Sequence, residues 1–203
     1  MTEHSDIAPR CQRAFLSLLE QQPFSALRMA DVAKLAGTSR PTLYRHFHSK
    51  EQLFRASVDG LFDQFYDQAE PYLEQFEDSL SLVVNFLASS VAFQQRALIQ
   101  TLLSSGADDL FISQLRKYFA RLLGTLLRQK NIKPLRQSDV DIITSMLAGA
   151  CFYCLKEWEK HGMQQPPKQM AKVLAHLFNG QLLSLIEIDK SEKNHCHSRN
   201  NRT

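Results

Sequence analysis

The chain has 203 residues, 44% hydrophobic and 22% charged, with only 7 glycines and 7 prolines to interrupt them, which suits one large helical domain or a small head on a larger body. A formal net charge of +3 is too small to argue for nucleic acid by itself, and the four cysteines, Cys11, Cys151, Cys154 and Cys196, form no disulfide framework. No apolar signal run opens the chain and no uninterrupted apolar segment of membrane length is evident, so a cytoplasmic protein with no membrane association is expected.

Ile7, Cys11, Ala14, Phe15 and Leu18 mark one stripe of a first helix running from about Asp6 to Gln21, with Pro9 in its first turn. Cys11 lies on that stripe, so core packing is its expected role. The loop Gln22 to Leu27 carries Phe24, expected to pack beneath the next pair of helices.

That pair lies in MADVAKLAGTSRPTLYRHFHSKEQL, Met29 to Leu53. Met29, Val32, Ala33 and Ala36 repeat at helical spacing, and Gly37 can take the left-handed conformation that closes a helix. Ser39 is a good N-cap for a second helix with Pro41 in its first turn. Leu43 and Phe47, four apart, should pack back on the first helix of the pair. At about 100° per residue, Pro41 and Arg45 then face outward, flanked by Thr42 and Tyr44, with Arg40 at the open end. That set suits a major groove: arginine bridges guanine O6 and N7, threonine and proline touch a thymine methyl, and tyrosine bonds a phosphate. Ser49 with Gln52 makes a capping box for the next helix, and Lys50 in its first turn would add a phosphate contact.

Residues Thr38 to Leu53 closely resemble the recognition helix and following helix of the tetracycline-repressor (TetR/AcrR) family of bacterial transcription regulators, and the similarity extends over about residues 8 to 60. The resemblance implies that Tyr44 and Lys50 hold phosphates, that Arg40, Pro41, Thr42 and Arg45 face bases, and that His46 touches the backbone. Ser39 joins them as the cap of the reading helix. One departure stands out. Where the family commonly caps the first helix of the motif with Thr or Ser, this chain has Arg28. The lost cap costs about 1 kcal/mol, and the arginine could reach a phosphate instead.

The expected architecture is all-α: a three-helix head with its helix-turn-helix (1–50), a helical ligand-binding and dimerisation body (51–188) joined through a connecting helix, and a polar tail (189–203). The connector runs from Lys50 to about Ala69, where Pro71 breaks or kinks it. A tilt of its far end would move the recognition helix. Further helices are predicted at about Leu80 to Phe93, Arg96 to Leu103, Asp108 to Lys130, Asp139 to His161, capped by Ser138, and Pro167 to Ile188. Residues 61 to 80 hold six acidic and no basic side chains, and 112 to 136 seven basic and no acidic. Such faces are expected to be solvated or to pair across neighbouring helices; a docking surface for an acidic partner or ligand is the sharper alternative.

Between Ile142 and Leu155 there is no charged residue, and the final predicted helix repeats Met170, Val173, Leu174, Leu177, Phe178, Leu182 and Leu185. This is more apolar surface than one body needs, so a two-fold four-helix interface is expected, built on Ile143, Leu147, Ala150, Cys154, Val173, Leu174, Leu177, Phe178 and Gln181. The family resemblance implies the same, since its last two helices build the dimer. One reading helix spans few base pairs, so two heads about 34 to 36 Å apart on a near-palindromic site are required.

The resemblance also implies an effector pocket in the body. Its aromatic candidates, Phe62, Phe65, Tyr66, Phe86, Phe93, Phe111, Tyr118, Phe152, Tyr153 and Trp158, favour a hydrophobic or aromatic small molecule, most of them serving as core. Cys151 and Cys154 form C-x-x-C in an apolar helix, where packing is the simpler role. His195, Cys196 and His197 lie in the polar tail, so neither metal nor cofactor is expected. No P-loop, dinucleotide turn, H-E-x-x-H or G-x-S-x-G occurs, which argues against an enzyme. Three readings result: a ligand-responsive repressor that binds a palindromic operator as a homodimer, a protein-interaction co-regulator on the same fold without sequence-specific DNA binding of its own, or, as a weaker third, a redox or metal sensor built on Cys151 and Cys154.

Overall fold

The computed structural model describes residues 6–75, 94–166 and Gln169. Among them run seven α-helices and one 3₁₀ segment: α1 (Ile7–Leu19), α2 (Met29–Leu35), α3 (Arg40–His46), α4 (Lys50–Ala69), the 3₁₀ segment (Glu70–Gln75), α5 (Arg96–Ser104), α6 (Asp108–Gln129) and α7 (Gln137–Lys160). The helix expected at Leu80 to Phe93, most of the one expected from Pro167, and the polar tail lie outside the described residues.

α1 stops two residues before its expected end, and Glu20, Gln21 and Gln22 turn back onto the Leu16 and Leu18 carbonyls. Its stripe is core: Cys11 and Phe15 are fully buried, and Phe15 meets Phe24 and Phe54 edge-on at 6.3 Å. Phe24 meets Phe54 at 5.9 Å, so the loop phenylalanine packs against α1 and α4. α4 serves both halves. Phe54 packs on Phe15 of α1, while Phe62, Phe65 and Tyr66 meet side chains of the body. The α-helix yields to the 3₁₀ segment at Pro71, which has no N–H to continue the ladder.

α6 runs alongside α4 in the same direction: Gln114 bonds Arg55 and Asp59, Arg121 pairs with Asp63 at 2.8 Å, and Thr125 meets Tyr66 at 3.0 Å. The acidic and basic stretches therefore do pair across neighbouring helices in part. Where they meet, a directed hydrogen-bond chain runs from Arg128 to the Thr125 hydroxyl, then to Tyr66, then to Glu70.

α7 begins at Gln137, two residues before its expected start, and Ser138 is not its cap. Arg136 occupies the cap position with extended backbone, and its guanidinium clasps Asp139 in the first turn at 2.9 and 3.1 Å. The ion pair braces the first turn but supplies no side-chain cap to its N–H groups. By length and composition α7 could cross a membrane, although its uncharged run is confined to Ile142–Leu155. Its Leu147, Ala148, Cys151, Phe152, Leu155 and Trp158 are instead buried in the core, with Phe152 edge-on to Phe111 of α6.

Candidate nucleic-acid interface

The turn between α2 and α3 is built from local signals. Gly37 has φ +63°, and the N–H groups of Gly37 and Thr38 return to the carbonyls of Lys34 and Ala33, which closes α2 with two of its orphan carbonyls satisfied. Arg10 of α1 donates to the freed carbonyls of Ala36 and Gly37, so α1 holds the turn in place. Nothing in the spacing of α1 pointed to this clamp; an arginine at the edge of an apolar stripe was the only trace.

α3 opens on Ser39, whose hydroxyl accepts the Thr42 N–H at 3.3 Å. Leu43 is fully buried and Phe47 nearly so, which fixes the rotation of the helix about its axis. Arg40, Pro41, Tyr44 and Arg45 consequently face solvent, with Tyr44 45% exposed, and Thr42 and His46 are half-buried. The Thr42 hydroxyl lies 2.9 Å from that of Ser39 and accepts from Arg45 Nη2 at 3.3 Å. A cap, a threonine and an exposed arginine therefore form one outward line, which leaves less side-chain freedom to be lost on binding.

Arg28 sits at the α2 cap position with no side-chain cap bond, and it is exposed. Lys50 has a use that its sequence position did not disclose. Its ammonium donates to the carbonyls of Phe24 at 2.9 Å and Ser25 at 3.4 Å and lies 4.5 Å from the centre of the Phe24 ring. Phe24 in turn donates its backbone N–H to Ser105 at the end of α5 at 2.8 Å, which joins head to body.

The aromatic candidates separate. Phe65, Tyr66, Phe111, Phe152 and Trp158 are buried core, the Trp158 indole donating to Gln165 at 2.9 Å, and Phe86 and Phe93 lie outside the described residues. Tyr153 is 68% exposed on the outer face of α7, so it lines no interior pocket. Phe62 and Tyr118 line a cleft of about 300 Å³ between α4 and α6, together with Asp59, Asp63, Gln114, Lys117 and Arg121.

Of the residues expected at a dimer interface, Leu147 is fully buried within the single chain and is corrected to core. Ile143, Ala150 and Cys154 are half-buried. The exposed face of α7 instead carries Ile142 (69%), Met146 (51%) and Tyr153. An uncharged helix is apolar on both sides, so its periodicity did not tell which side turned inward. Val173, Leu174, Leu177, Phe178 and Gln181 lie outside the described residues. Burial pushes the thiols of Cys151 and Cys154 above their ordinary range, keeping them protonated and poorly nucleophilic.

A buried three-helix head that presents an exposed, pre-arranged α3 on an all-α body defines a class: the helix-turn-helix DNA-binding regulators. A family profile described as bacterial regulatory proteins, tetR family, matches residues 13–57, and another described as transcriptional regulator C-terminal region matches residues 90–180. The chain belongs to the TetR family of DNA-binding transcription regulators, which are not enzymes. It is 42% identical over 59 residues to the HTH-type transcriptional regulator SAR0097 of Staphylococcus aureus, across 29% of this chain and 31% of that protein. It is 35% identical over 75 residues to the HTH-type transcriptional repressor ComR of Escherichia coli, across 36% of each. A longer match, 25% identical over 148 residues, is to the nucleoid occlusion factor SlmA of Aliivibrio fischeri, across 68% of this chain and 76% of that one. Among solved structures, the regulator FadR from Bacillus subtilis in complex with stearoyl-CoA superposes with a TM-score of 0.54 at 14% identity over 83% of this chain and 95% of that one. A tetR-family regulator from Streptomyces coelicolor does so with 0.51 at 14% identity over 92% and 85%. At such identity the superpositions speak for the fold alone.

Proposed function

We propose that the chain is a cytoplasmic, ligand-responsive repressor that reads a near-palindromic operator as a homodimer, α3 of each copy entering a major groove. The observation that carries this is the outward line Ser39, Thr42 and Arg45 on a helix whose rotation is set by buried Leu43 and Phe47. In this reading Arg45 and Arg40 read base edges, Pro41 and Thr42 contact a thymine methyl, and Tyr44, His46, Arg28 and Lys50 hold the phosphate backbone, Lys50 doing so while still tied to the loop carbonyls. The exposed apolar face of α7, Ile142, Met146 and Tyr153 with half-buried Ile143, Ala150 and Cys154, supports pairing of two copies. Binding of a small molecule against α4 would shift the two heads out of register with successive grooves.

Selection of bound sequences from random duplexes tests the reading. A two-fold symmetric site with half-sites one helical turn apart is expected. On that site Arg45→Ala should lower affinity by about 1 to 3 kcal/mol and relax preference at one position, while Tyr44→Ala should weaken all DNA and flatten the salt dependence. Recovery of no sequence preference would favour the co-regulator alternative, and equal losses for Arg45→Ala on specific and random DNA would remove its base-reading role.

A further inference from the structure

The cleft between α4 and α6 has a chemistry that the aromatic pattern of the body did not suggest. On its buried side is Gln114, only 3% exposed. The Gln114 amide N–H₂ donates both its protons, to Asp59 Oδ1 at 2.7 Å and to the Arg55 carbonyl at 3.3 Å. These two bonds fix which way the amide lies, because reversing it would set its oxygen against a carboxylate and a carbonyl. Its oxygen, Oε1, is left buried with no hydrogen-bond partner. A desolvated acceptor of this kind is costly, on the order of 1 to 3 kcal/mol, and an N–H or O–H that displaced the groups now covering it from the cleft side would recover it.

The charges beside it select the kind of donor. Arg121 is engaged: it pairs with Asp63 at 2.8 Å and stacks 3.4 Å from the centre of the Tyr66 ring. Lys117 is at the exposed margin. Asp59, exposed at the cleft and bonded to the Gln114 amide nitrogen, has no cation within ion-pair distance among the described residues. The remaining wall is aromatic, Phe62 and Tyr118, whose rings are 5.9 Å apart. A carboxylate, a buried amide oxygen and two aromatic rings make a donor-seeking, cation-tolerant site.

We propose that this cleft binds a small cationic amine, its ammonium set between Asp59 and Gln114 Oε1 and its apolar part against Phe62 and Tyr118. At about 300 Å³ the space is at the small end of ligand pockets, which limits the occupant to one ring or a short chain. The proposal rests on the effector reading above and gives it a ligand class. Three cleft residues, Asp59, Phe62 and Asp63, lie on α4, so an occupant bears directly on the helix that carries the head.

The test uses the full chain and three matched probes: 2-phenylethylammonium, 2-phenylethanol and phenylacetate, followed by calorimetry and thermal unfolding. The amine is expected to bind saturably with Kd of about 1 mM or tighter, the alcohol at least about tenfold more weakly, and the carboxylate not at all. Asp59→Asn, which keeps the acceptor for Gln114, should weaken the amine about tenfold or more without lowering Tm. Gln114→Leu, which removes the unpaired oxygen, should weaken both amine and alcohol. Phenylacetate binding as tightly as the amine, an amine affinity indifferent to Asp59→Asn, or no amine binding at about 10 mM overturns the proposal. DNA binding by the ligand-free chain is measured in parallel on its selected duplex: its loss sinks the regulator reading, whereas intact DNA binding with no amine binding sinks the ligand class alone.

Discussion

Thr42 is half-buried and contacts no core residue by hydrogen bond, yet its hydroxyl is where Ser39 and Arg45 meet. Thr42→Val keeps the shape of the side chain and removes that junction. The expected result is a severalfold loss on the selected operator with affinity for random DNA unchanged, read by fluorescence anisotropy; equal losses on both would mean that the hydroxyl only steadies the Ser39 cap. Gly37 makes a second single-residue prediction. At φ +63° any side chain is strained by about 1 to 2 kcal/mol, and a Cβ there would lie 2.8 Å from Arg10 Nη2. Gly37→Ala should lower stability in urea by at least that amount. An unchanged midpoint would show that the turn adapts freely.

α4 is held at its start by three local devices. Ser49 accepts the Gln52 N–H at 3.2 Å, and Gln52 Oε1 accepts the N–H of His48 at 2.7 Å, one residue earlier than a standard capping box would have it. The third is Glu51, whose carboxyl is held below its ordinary 4.5 by the N-terminal backbone N–H and by Ser49. Because the folded value is depressed, the stability it contributes is complete above pH 4.5 and is lost as pH falls from there through the folded value. Glu51→Gln should therefore unfold at lower temperature than the parent near neutrality, the difference closing in acid; a difference constant across the series would assign the effect to packing. These ends explain why the close of α2 and the starts of α3 and α4 were legible: each is set by a glycine or a serine acting on its own backbone. The start of α7 was not legible, since the Arg136 to Asp139 clasp is a side-chain pair that resembles any surface ion pair in sequence. The cleft was missed for a different reason. Gln114 counts as a polar interruption of an apolar stripe until its neighbours on α4 are known.

At the scale of the molecule, the fold class and the order of head, connector and body came from the motif and from helical periodicity, whereas the division of apolar residues between interior and exterior did not. Leu147 and Tyr153 exchanged their expected places because α7 carries no charge between Ile142 and Leu155 to mark an outer face. The exposed side makes its own prediction. Met146→Glu combined with Tyr153→Glu should shift the sedimenting species from dimer to monomer and weaken operator binding far more than it alters Tm. A parent that sediments as a monomer, or a double variant that remains dimeric, would move the pairing surface elsewhere.

The Lys50 ammonium and the Phe24 peptide fasten the near end of α4 to the loop and, through Ser105, to α5. A rod of 20 residues, roughly 30 Å long, is thus pinned at the end next to α3, and a ligand in the proposed cleft would drive it from its middle onward. Such a pivot converts a push into an angle: a displacement of about 3 Å at Ala69 is a turn of roughly 6° over that length. α1, tied to the same rod by Gln12 on Ala56 at 2.8 Å, must turn with it. Under the proposed effector reading, signalling becomes a matter of torque on one fastening rather than of sliding between layers. Weakening the fastening, as Lys50→Met would, should blur the response to a ligand before it abolishes the grip on DNA.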